Sequence, residues 1–473
     1  AHPTILDGGG MAPVVYYRNT GYRMSALDGF IVQGGGVHTG GNPFHPELTK
    51  RFGGRGGGFY VRVSGPVIAN NLVRSNSLGS PYNSFEAFGG GLYAYLGHAE
   101  IRGNTFTDNE VLMSATGNGG AIYCLESMAT IDSNVLRGNR AKNGAAIYGS
   151  RSHLRVTRNT VQTNALYSNY APVYMGSLSG ALTFWAAPDM LIEANVIQEN
   201  TAVFGAGLCL DTCYAARARN NVIADNLAWD FSGFGSGGMG GGIYCVSGLN
   251  ATGTVTIANN TIVGNNAPAT FLGAQGGGIA LSLFTNNVVL ANNIVASNSS
   301  GIWRDARTAV QPILRNNCVI NADGNDYLNL APGPTDIRAN PQFVHLPSAD
   351  FRLLIASPCI DTGTLENAPA SDFSGVPRPL DGNADGLPLP DIGAFEFAHP
   401  ELDTDRDGLP DAAELTAGTD PTNPTSTLRL AITQMPLENR VSFSWQSVPG
   451  RSHAIEFKSD PNTPWQTVIC DIP

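Results

Sequence analysis

The sequence predicts an all-β fold, a right-handed parallel β-helix solenoid, on three observations. A nine-residue pattern, apolar-x-x-Asn-x-apolar-x-x-Asn, recurs along the chain. Its copies start 24 to 39 residues apart, and the shortest spacing suits one coil of a three-sided solenoid. Charged residues make up only 14% of the chain and there are 57 glycines, a composition rich in turns and poor in the charged side chains that coat helices.

Eight copies of the pattern are clear and a degraded ninth begins near Leu314. The clear copies begin at Ile68, Ile101, Ile131, Val156, Ile192, Ala218, Ile257 and Leu290. Because stacked coils lie ~4.8 Å apart, equivalent residues form columns along the solenoid. We interpret the two Asn columns as turn ladders, whose amides hydrogen-bond from coil to coil.

A second pattern, three small residues followed by an apolar residue and Tyr, lies between these copies, as in Gly89-Gly90-Gly91-Leu92-Tyr93. Since the apolar residue points inward, alternation along a strand predicts that the Tyr points outward. The predicted substrate-binding rings are Tyr60, Tyr93, Tyr123, Tyr148 and Tyr244. Sugar rings stack on such surfaces. Alternatively, the long loops fold over this strip of tyrosine rings and bury it, or the strip is a protein–protein interface.

Coil length varies mainly at one corner, between the second Asn and the glycine triplet. The long loops should therefore leave the solenoid along one edge, where insertions often form the binding face. These loops are aromatic and nearly uncharged. Their aromatic residues are Tyr82, Phe85, Tyr167, Tyr170, Tyr174, Trp229, Phe231, Phe234 and Phe271. Trp229 joins the predicted substrate-binding set, and self-association through this face is a further hypothesis.

The chain has a formal net charge of −11 and a pI near 5.1. This acidity argues against nucleic acid and anionic membrane surfaces as partners. No apolar run of about 18 residues is present to span a bilayer. The start, Ala1-His2-Pro3, has no Met and indicates a processed or trimmed product. We therefore expect a secreted, extracellular or cell-surface protein.

The cysteines are few for this length. Cys209 and Cys213 are close enough in sequence to close a local loop, and Cys318 and Cys359 could join late segments. No cysteine has the paired short spacing of a zinc site.

Residues 403–414 carry the sharpest ligand signal, since they match the EF-hand calcium loop at six of its twelve positions. Calcium needs many hard oxygen ligands, and this spacing wraps carboxylates round one point. The predicted ligands are the carboxylates of Asp403, Asp405, Asp407, Asp411 and Glu414 and the carbonyl of Leu409. The alternative is a solvated acidic linker.

The next residues, Gly418-Thr419-Asp420-Pro421, resemble the thrombospondin type 3 style of repeat found in bacterial surface linkers. The expected role of Ca²⁺ is structural, to stiffen the linker. A weaker candidate, residues 381–386, has half of such a loop. Its predicted ligands are Asp381, Asn383, Asp385 and Asp391.

Catalytic residues are harder to find. A glycosidase needs two carboxylates, ~5 Å apart in a retaining enzyme. A lyase needs a base. The sequence has no recognisable signature of polygalacturonases or pectate lyases. Glu199 and Asp225 share a repeat position on adjacent coils, so repulsion should raise one pKa. Glu193 and Arg219 should form an ion pair, and Asp230 follows in the next loop. The predicted catalytic set is therefore Glu199, Asp225, Arg219 and Asp230; the alternative is an exposed carboxylate pair.

Several motifs resemble a known family. They are Asn340-Pro341-Gln342-Phe343, Asp350-Phe351-Arg352-Leu353, Ser357-Pro358-Cys359-Ile360-Asp361-Thr362-Gly363, Asp391-Ile392-Gly393-Ala394-Phe395-Glu396, and the early Thr4-Ile5-Leu6-Asp7-Gly8 and Leu27-Asp28-Gly29-Phe30. They resemble bacterial choice-of-anchor Q β-helix proteins over roughly residues 1–397. The resemblance implies a pectate-lyase-like β-helix on an exported bacterial protein. It does not imply one activity, because that family is mostly defined by architecture.

We divide the chain into four parts. Residues 1–325 are the predicted β-helix, 326–397 its closing segment, 398–426 the calcium linker and 427–473 a truncated β segment. The last part resembles an immunoglobulin-like or fibronectin-like β-sandwich with about four strands. Alternatively, its strands pair with a neighbouring chain or cap the solenoid.

Two functions remain open. One is binding of an extracellular polysaccharide along the aromatic face, with cleavage by a lyase or hydrolase left open. It predicts an open groove near Glu199, Asp225, Arg219 and Asp230. The other is a non-enzymatic adhesin or a structural filament or matrix subunit, which predicts aromatic loops packed flat against another chain.

Overall fold

A computed structural model describes most of the chain. The described residues are 3–10, 13–21, 25–38, 54–79, 86–112, 117–166, 179–229, 238–247, 253–268, 275–285, 287–308, 310–321, 325–427, 431–435, 440–445, 453–458, 460, 463–464 and 466–472. The chain folds, as predicted, into a right-handed parallel β-helix. We name its four sheets S1 to S4, in the order in which each coil passes through them.

Within the described residues, S1 has 11 strands and S2 has 10, all parallel. The S1 strands are Val15–Gly21, Phe59–Ser64, Leu92–Tyr95, Ile122–Leu125, Ile147–Ser150, Leu182–Trp185, Leu208–Asp211, Ile243–Val246, Ile279–Ser282, Ile302–Arg304 and Tyr327–Leu328. The S2 strands are Ala26–Asp28, Val67–Ala69, Glu100–Arg102, Met128–Asp132, His153–Thr157, Met190–Glu193, Ala216–Arg219, Thr254–Ala258, Asn287–Ala291 and Ile313–Arg315.

S3 has 11 strands and the shorter S4 has 7, again counting described residues. The S3 strands are Ile5–Asp7, Ile31–Gln33, Leu72–Arg74, Thr105–Thr107, Val135–Arg137, Thr160–Gln162, Val196–Gln198, Val222–Ala224, Thr261–Val263, Ile294–Ala296 and Cys318–Ile320. The S4 strands are Gly36–His38, Ser77–Gly79, Glu110–Leu112, Arg140–Ala141, Ala165–Leu166, Thr201–Ala202 and Leu227–Ala228. A short parallel pair, Ala87–Phe88 and Gly117–Asn118, lies beside S4.

The main core fills the space between S1, S2 and S3. In one coil, Leu92, Ile101 and Phe106 are fully buried, one from each sheet. The same positions are apolar in the neighbouring coils, so the columns form one continuous core along the axis. Cys213 belongs to this core, whereas Cys209 lies on the outward side of S1 beside Tyr244. The predicted local pairing of Cys209 with Cys213 is therefore wrong, because the two side chains point to opposite faces.

The two Asn columns form the predicted turn ladders. In each rung, the side-chain and backbone N–H groups of one Asn donate to the side-chain oxygen of the Asn on the next coil, as Asn104 does to Asn134 at 3.0 and 2.9 Å. The first ladder is Asn71, Asn104, Asn134, Asn159, Asn195, Asn221, Asn260, Asn293 and Asn317. The second is Asn76, Asn109, Asn139, Asn164, Asn200, Asn226, Asn265, Asn298 and Asn321. Each ladder ends on a carboxylate, Asp336 or Asp326, which accepts but cannot donate onward.

The long loops leave the solenoid at one edge, as predicted. Each lies between the corner that follows S3 and the next S1 strand, and their middle parts fall outside the described residues. The loop aromatics Tyr82, Phe85, Tyr167, Tyr170, Tyr174, Phe231, Phe234 and Phe271 lie there and are not described further.

The closing segment begins later than the predicted residue 326, because Tyr327–Leu328 is still a strand of S1. Residues 340–397, to which we restrict the name from here on, cover the outer face of the last S3 strands. Phe351 and Ala394 of this segment pack against Val222 and Val263 of S3. The side chain of Asn292 both donates to the Thr364 carbonyl and accepts from the Thr364 N–H, each at 2.8 Å. Within the segment, Phe343–His345 and Asp350–Leu353 form an antiparallel pair around the 3₁₀ turn Leu346–Ser348.

Beyond the closing segment comes a short helix, Asp411–Ala417, which ends at Gly418, a glycine in the left-handed conformation with φ 84°. Two antiparallel pairs follow: Ala431–Met435 with Arg440–Ser444, and His453–Phe457 with Gln466–Ile472. Among the described residues, no helix is long and apolar enough to cross a membrane.

Candidate functional site

The predicted tyrosine column forms, but its rings are not exposed. Tyr60, Tyr93, Tyr123 and Tyr148 stack on adjacent coils with ring centroids 5.3 to 5.5 Å apart. The first three are only 3% to 7% accessible. They turn away from the main core, as alternation requires, into a second core beneath S4 residues such as Leu78. The expected exposed strip of sugar-stacking rings is therefore wrong for these three residues.

The other predicted ring residues lie in different surroundings. Tyr148 and Tyr244 are half-buried, and Tyr244 packs on Phe204 at a centroid distance of 5.3 Å. Burial raises the pKa of Tyr244 above its ordinary value. Trp229 follows the last S4 strand and is 46% exposed. Of the predicted substrate-binding residues, it presents the most open surface.

A second outward column of S1 is partly or fully exposed at every position except Ser150, which is buried. It lies two residues after the tyrosines and consists of Arg18, Arg62, Tyr95, Leu125, Ser150 and Trp185. The Arg62 guanidinium carbon lies 5.8 Å from the centre of the Tyr95 ring. The Arg151 guanidinium carbon lies 5.9 Å from the Trp185 ring. These cation–π pairs hold the cations along the sheet.

A shallow groove of about 340 Å³ runs across this column. Arg55 enters it from the bend before S1, with its guanidinium 6.0 Å from the Tyr93 ring. Arg151 is paired with Glu126 at 2.8 Å. Within the described residues, Arg55 and Arg62 make no ion pair. The groove therefore carries excess positive charge on an acidic protein.

The structure brings part of the predicted catalytic set together. Glu199 and Asp225 follow paired S3 strands on adjacent coils, and Glu199 accepts a hydrogen bond from Gln162 at 2.9 Å. Burial, with a contribution from Glu199, raises the pKa of Asp225. Arg219 pairs with Glu193 at 2.7 Å, as expected.

The rest of the set does not converge on this pair. Arg219 ends an S2 strand, and the whole S3 strand Val222–Ala224 separates it from Asp225. Asp230 lies outside the described residues. Glu199 and Asp225 both adopt left-handed backbone angles, with φ of 56° and 53°, because this column forms the turn after S3.

The predicted calcium loop folds round its carboxylates. Single oxygens of Asp403, Asp405 and Asp407 all lie within 4.8 Å of one another. The N–H of Gly408 donates to Asp403 at 2.9 Å, and that of Leu409 donates to Asp407 at 2.9 Å. These bonds turn the loop tightly and bring the three like charges together.

Two acidic residues of the short helix complete the loop in different ways. Asp411 is buried, and its carboxylate accepts from both the N–H and the hydroxyl of Thr404. This carboxylate therefore fastens the start of the loop. Glu414 is also fully buried, but both its carboxylate oxygens lack any hydrogen-bond partner. Asp405 has one such oxygen as well.

Unpartnered buried carboxylate oxygens are costly unless a cation binds them. Burial, reinforced by the charges of Asp405, Asp407 and Asp411, raises the pKa of Glu414 to about 7. This donor set of hard, anionic oxygens fits Ca²⁺. Asp403, Asp405, Asp407 and Glu414 would hold the ion, which would neutralise the cluster.

The weaker candidate calcium loop, residues 381–386, has the same pattern of backbone hydrogen bonds to its first Asp, but the residues around it differ. Asp381 accepts from the N–H groups of Asp385 and Gly386, as Asp403 does in the first loop. Asp391, however, is fully buried and accepts from the N–H groups of Asp361 and Phe397. The inclusion of Asp391 in this ligand set is therefore wrong, because its carboxylate is used to fix the backbone of the closing segment.

Comparisons with known proteins match three parts of the chain. A family model described as "Right handed beta helix region" matches residues 97–273. A model described as "Disaggregatase related" matches residues 283–376. A model described as "Bacterial TSP3 repeat" matches residues 403–424 and confirms the predicted thrombospondin type 3 resemblance. No curated protein and no solved structure matches the chain.

Sequence reasoning predicted Tyr60 and Tyr93 of the S1 groove but missed its arginines and Tyr95, together with Trp185 of the same outward column. Arg62, Tyr95 and Trp185 each lie two residues after the tyrosine position of their coil. Continuing the alternation for one more outward step would have found this column. Arg151 and Arg55 lie outside the strands, so no strand pattern marks them.

Proposed function

We propose that this protein is an extracellular β-helix that binds an acidic polysaccharide along the outer face of S1. The observation that carries the proposal is the groove lined by Arg55, Arg62, Arg151 and Tyr95. The β-helix and Disaggregatase-related matches are compatible with an extracellular surface protein. The calcium repeat that follows is compatible with the same location.

The charge of the groove supports an anionic ligand. The chain as a whole has a formal net charge of −11, so a local excess of arginine is a departure from the average surface. Arginine donates paired hydrogen bonds in a planar fork that matches carboxylate or sulfate groups. Arg55 and Arg62 have no described carboxylate to neutralise them. A polymer of uronate or sulfated sugars would provide the missing charge.

The shape of the face supports a polymer. The column from Arg18 to Trp185, exposed or partly exposed except at Ser150, crosses six consecutive coils, which at ~4.8 Å a step is ~24 Å along the sheet. Trp185 is 39% exposed and presents a ring face on which the apolar face of a sugar can stack. A long, shallow groove suits an extended chain better than a compact small molecule.

A paired-ligand experiment tests this proposal. The full chain would be measured by affinity electrophoresis against polygalacturonate and against the same polymer with its carboxylates methyl-esterified. We expect retardation by the free acid that weakens as salt increases, and little retardation by the ester. Equal behaviour with both polymers, or no retardation by any acidic polysaccharide, would contradict the proposal.

A second candidate function, glycoside hydrolysis, is favoured by the Glu199–Asp225 pair. Adjacent coils place the two backbones ~4.8 Å apart along the axis, a spacing that allows the carboxylates to approach the ~5 Å separation found in retaining glycosidases. The experiment is to assay the same polymers for new reducing ends. Turnover that is lost in Glu199→Gln and kept in Glu193→Gln would support this function. Binding without products would leave the protein a binding module.

We also propose that residues 403–414 bind a structural Ca²⁺ that stiffens the chain after the β-helix. The unpartnered oxygens of Glu414 support this assignment. Calorimetric titration should show Ca²⁺ binding that weakens at least about tenfold in Glu414→Gln, since one charged ligand is lost. The matched control, Glu401→Gln, alters an exposed carboxylate just before the loop and should bind normally. Identical binding by the two variants would contradict the assignment.

A further inference from the structure

The described cysteines are buried, but they differ in what lies beside their sulfur atoms. Cys124 and Cys245 point into the solenoid core. Cys213 lies in the same core, where its Sγ donates to the Phe184 carbonyl at 3.4 Å. Each is surrounded by apolar side chains, and burial raises its pKa.

Cys318 and Cys359 differ from these, because their thiols are hydrogen-bonded to each other. Cys318 begins the last S3 strand, Cys318–Ile320, whereas Cys359 belongs to the closing segment. Both residues are 0% exposed and share one apolar cluster with Ile294 and Ile392. Cys318 also donates to the Ala339 carbonyl at 3.2 Å. The contact therefore joins the end of the solenoid to the segment that covers it.

We infer that Cys318 and Cys359 form a disulfide that locks the closing segment onto the last coils. Two buried thiols in direct contact need little movement to reach bonding distance. The bond would close a long loop, the case in which a cross-link restricts the unfolded chain most. The other attachments of the segment, such as the hydrogen bond of Asn292 to Thr364 and the packing of Phe351 on S3, are noncovalent.

The reaction needs an external oxidant, which we identify as a disulfide, either a small molecule such as oxidised glutathione or a thiol–disulfide oxidoreductase. One cysteine thiolate attacks the donor disulfide, forms a mixed disulfide and releases one donor thiol. The second cysteine attacks the protein sulfur of that mixed disulfide and releases the other donor thiol. Two protein thiols are oxidised and one donor disulfide is reduced. Because both sulfurs are inaccessible in the folded protein, the first step must come before the segment docks, or during its opening.

Mass spectrometry of the full chain tests the inference. The protein would be equilibrated with oxidised and reduced glutathione, denatured, alkylated without reduction and digested. We expect the peptides of Cys318 and Cys359 to be cross-linked, and those of Cys124 and Cys245 to be alkylated. Alkylation of both Cys318 and Cys359, or a cross-link of either to another cysteine, would overturn the inference.

Thermal unfolding provides a second readout that does not depend on peptide recovery. The oxidised protein should lose several degrees of Tm on reduction, because the cross-link is broken. Cys359→Ser cannot form the cross-link, so its Tm should be close to that of the reduced wild-type protein both with and without reductant. The matched control, Cys124→Ala, removes a core thiol and should keep its sensitivity to reductant. If wild-type Tm is the same with and without reductant, the proposed lock does not exist.

Discussion

Two stretches of the same sheet, S3, carry different outward side chains. In the first stretch the third residue of each strand is Asp7, Gln33, Arg74, Thr107, Arg137, Gln162 or Gln198. In the second stretch it is Ala224, Val263, Ala296 or Ile320. The change from polar to apolar comes where the closing segment begins to cover S3.

The inward column does not change between the two stretches. It runs from Val32 through Phe106 and Ile197 to Val319, and all four are fully buried. The inward columns of this solenoid therefore determine the fold of each coil, whereas the outward columns determine whether another segment covers its surface. By the same reasoning, the open Arg and aromatic column of S1 marks a surface that a ligand can occupy.

The largest expected difference between the stretches is the loss in free energy of unfolding when an arginine is replaced by alanine. Under the closing segment, the side chains of Arg378 and Glu396 are both 0% exposed and pair at 2.7 Å, beside the buried Asp391 and Asp372. Arg378→Ala would leave three carboxylates without their cation and should lower the free energy of unfolding by ~3–5 kcal/mol. Arg137→Ala, in the open stretch, should change it by less than ~0.5 kcal/mol.

Denaturant unfolding of both variants measures this difference. Equal losses in Arg378→Ala and Arg137→Ala would show that the cover does not distinguish the two stretches. Urea titration at constant pH and calcium concentration keeps the carboxylate charges and the linker site the same in each sample.

An exchange between the two stretches of this outward column should have an intermediate effect. Ala224 is 1% exposed beneath the closing segment, so Ala224→Gln would force a larger, polar side chain into a packed space. We expect a loss of ~1–3 kcal/mol in the free energy of unfolding. The opposite change in the preceding coil, Gln198→Ala, should cost less than ~0.5 kcal/mol. A larger cost for Gln198→Ala would reverse the comparison.

The smallest expected effect is a pH dependence that is confined to the covered stretch. Burial raises the pKa of Glu396 from 4.5 to about 7, although Arg378 acts in the opposite direction. An acid with a raised pKa holds its proton more tightly in the folded state. Its contribution to stability is therefore complete below the unfolded pKa of 4.5 and is lost as the pH rises through about 7.

We therefore expect the covered stretch to lose ~1–2 kcal/mol of stability between about pH 5 and pH 8. Asp372 and Asp391 should act in the same direction, because burial raises their pKa as well. Amide hydrogen exchange in the S3 strands Thr261–Val263 and Ile294–Ala296 would measure this local opening. Glu396→Gln should flatten the dependence, and an unchanged slope in that variant would refute the assignment.

The sequence predicted the coil and the calcium loop because both are local patterns. The Asn ladders require one side chain type at a fixed position in each coil, and residues 403–414 are contiguous. The burial of Tyr93 was not predictable from its own strand, since S4 residues from separate parts of the chain cover it. The fully buried Asp391 was assigned to the wrong site for the same reason, because its partners Asp361 and Phe397 are set by how the closing segment folds.

The arginines of the S1 groove were missed because they come from different kinds of position. Arg62 lies within a strand, whereas Arg55 and Arg151 lie in the turns at either end of S1. Only stacking of the coils brings the three together. A periodic pattern reports columns, but it does not report a cluster formed across columns.

The most direct test of polymer binding at the S1 groove is to titrate polygalacturonate into two double variants that lose equal charge. Arg55→Ala/Arg62→Ala removes cations from the S1 groove, and Arg155→Ala/Arg217→Ala removes cations from the outer face of S2. We predict that Kd rises at least about tenfold in the first variant and changes less than about twofold in the second. Equal weakening in both variants would mean that net charge, and not the S1 groove, binds the polymer, and would contradict the proposed binding site.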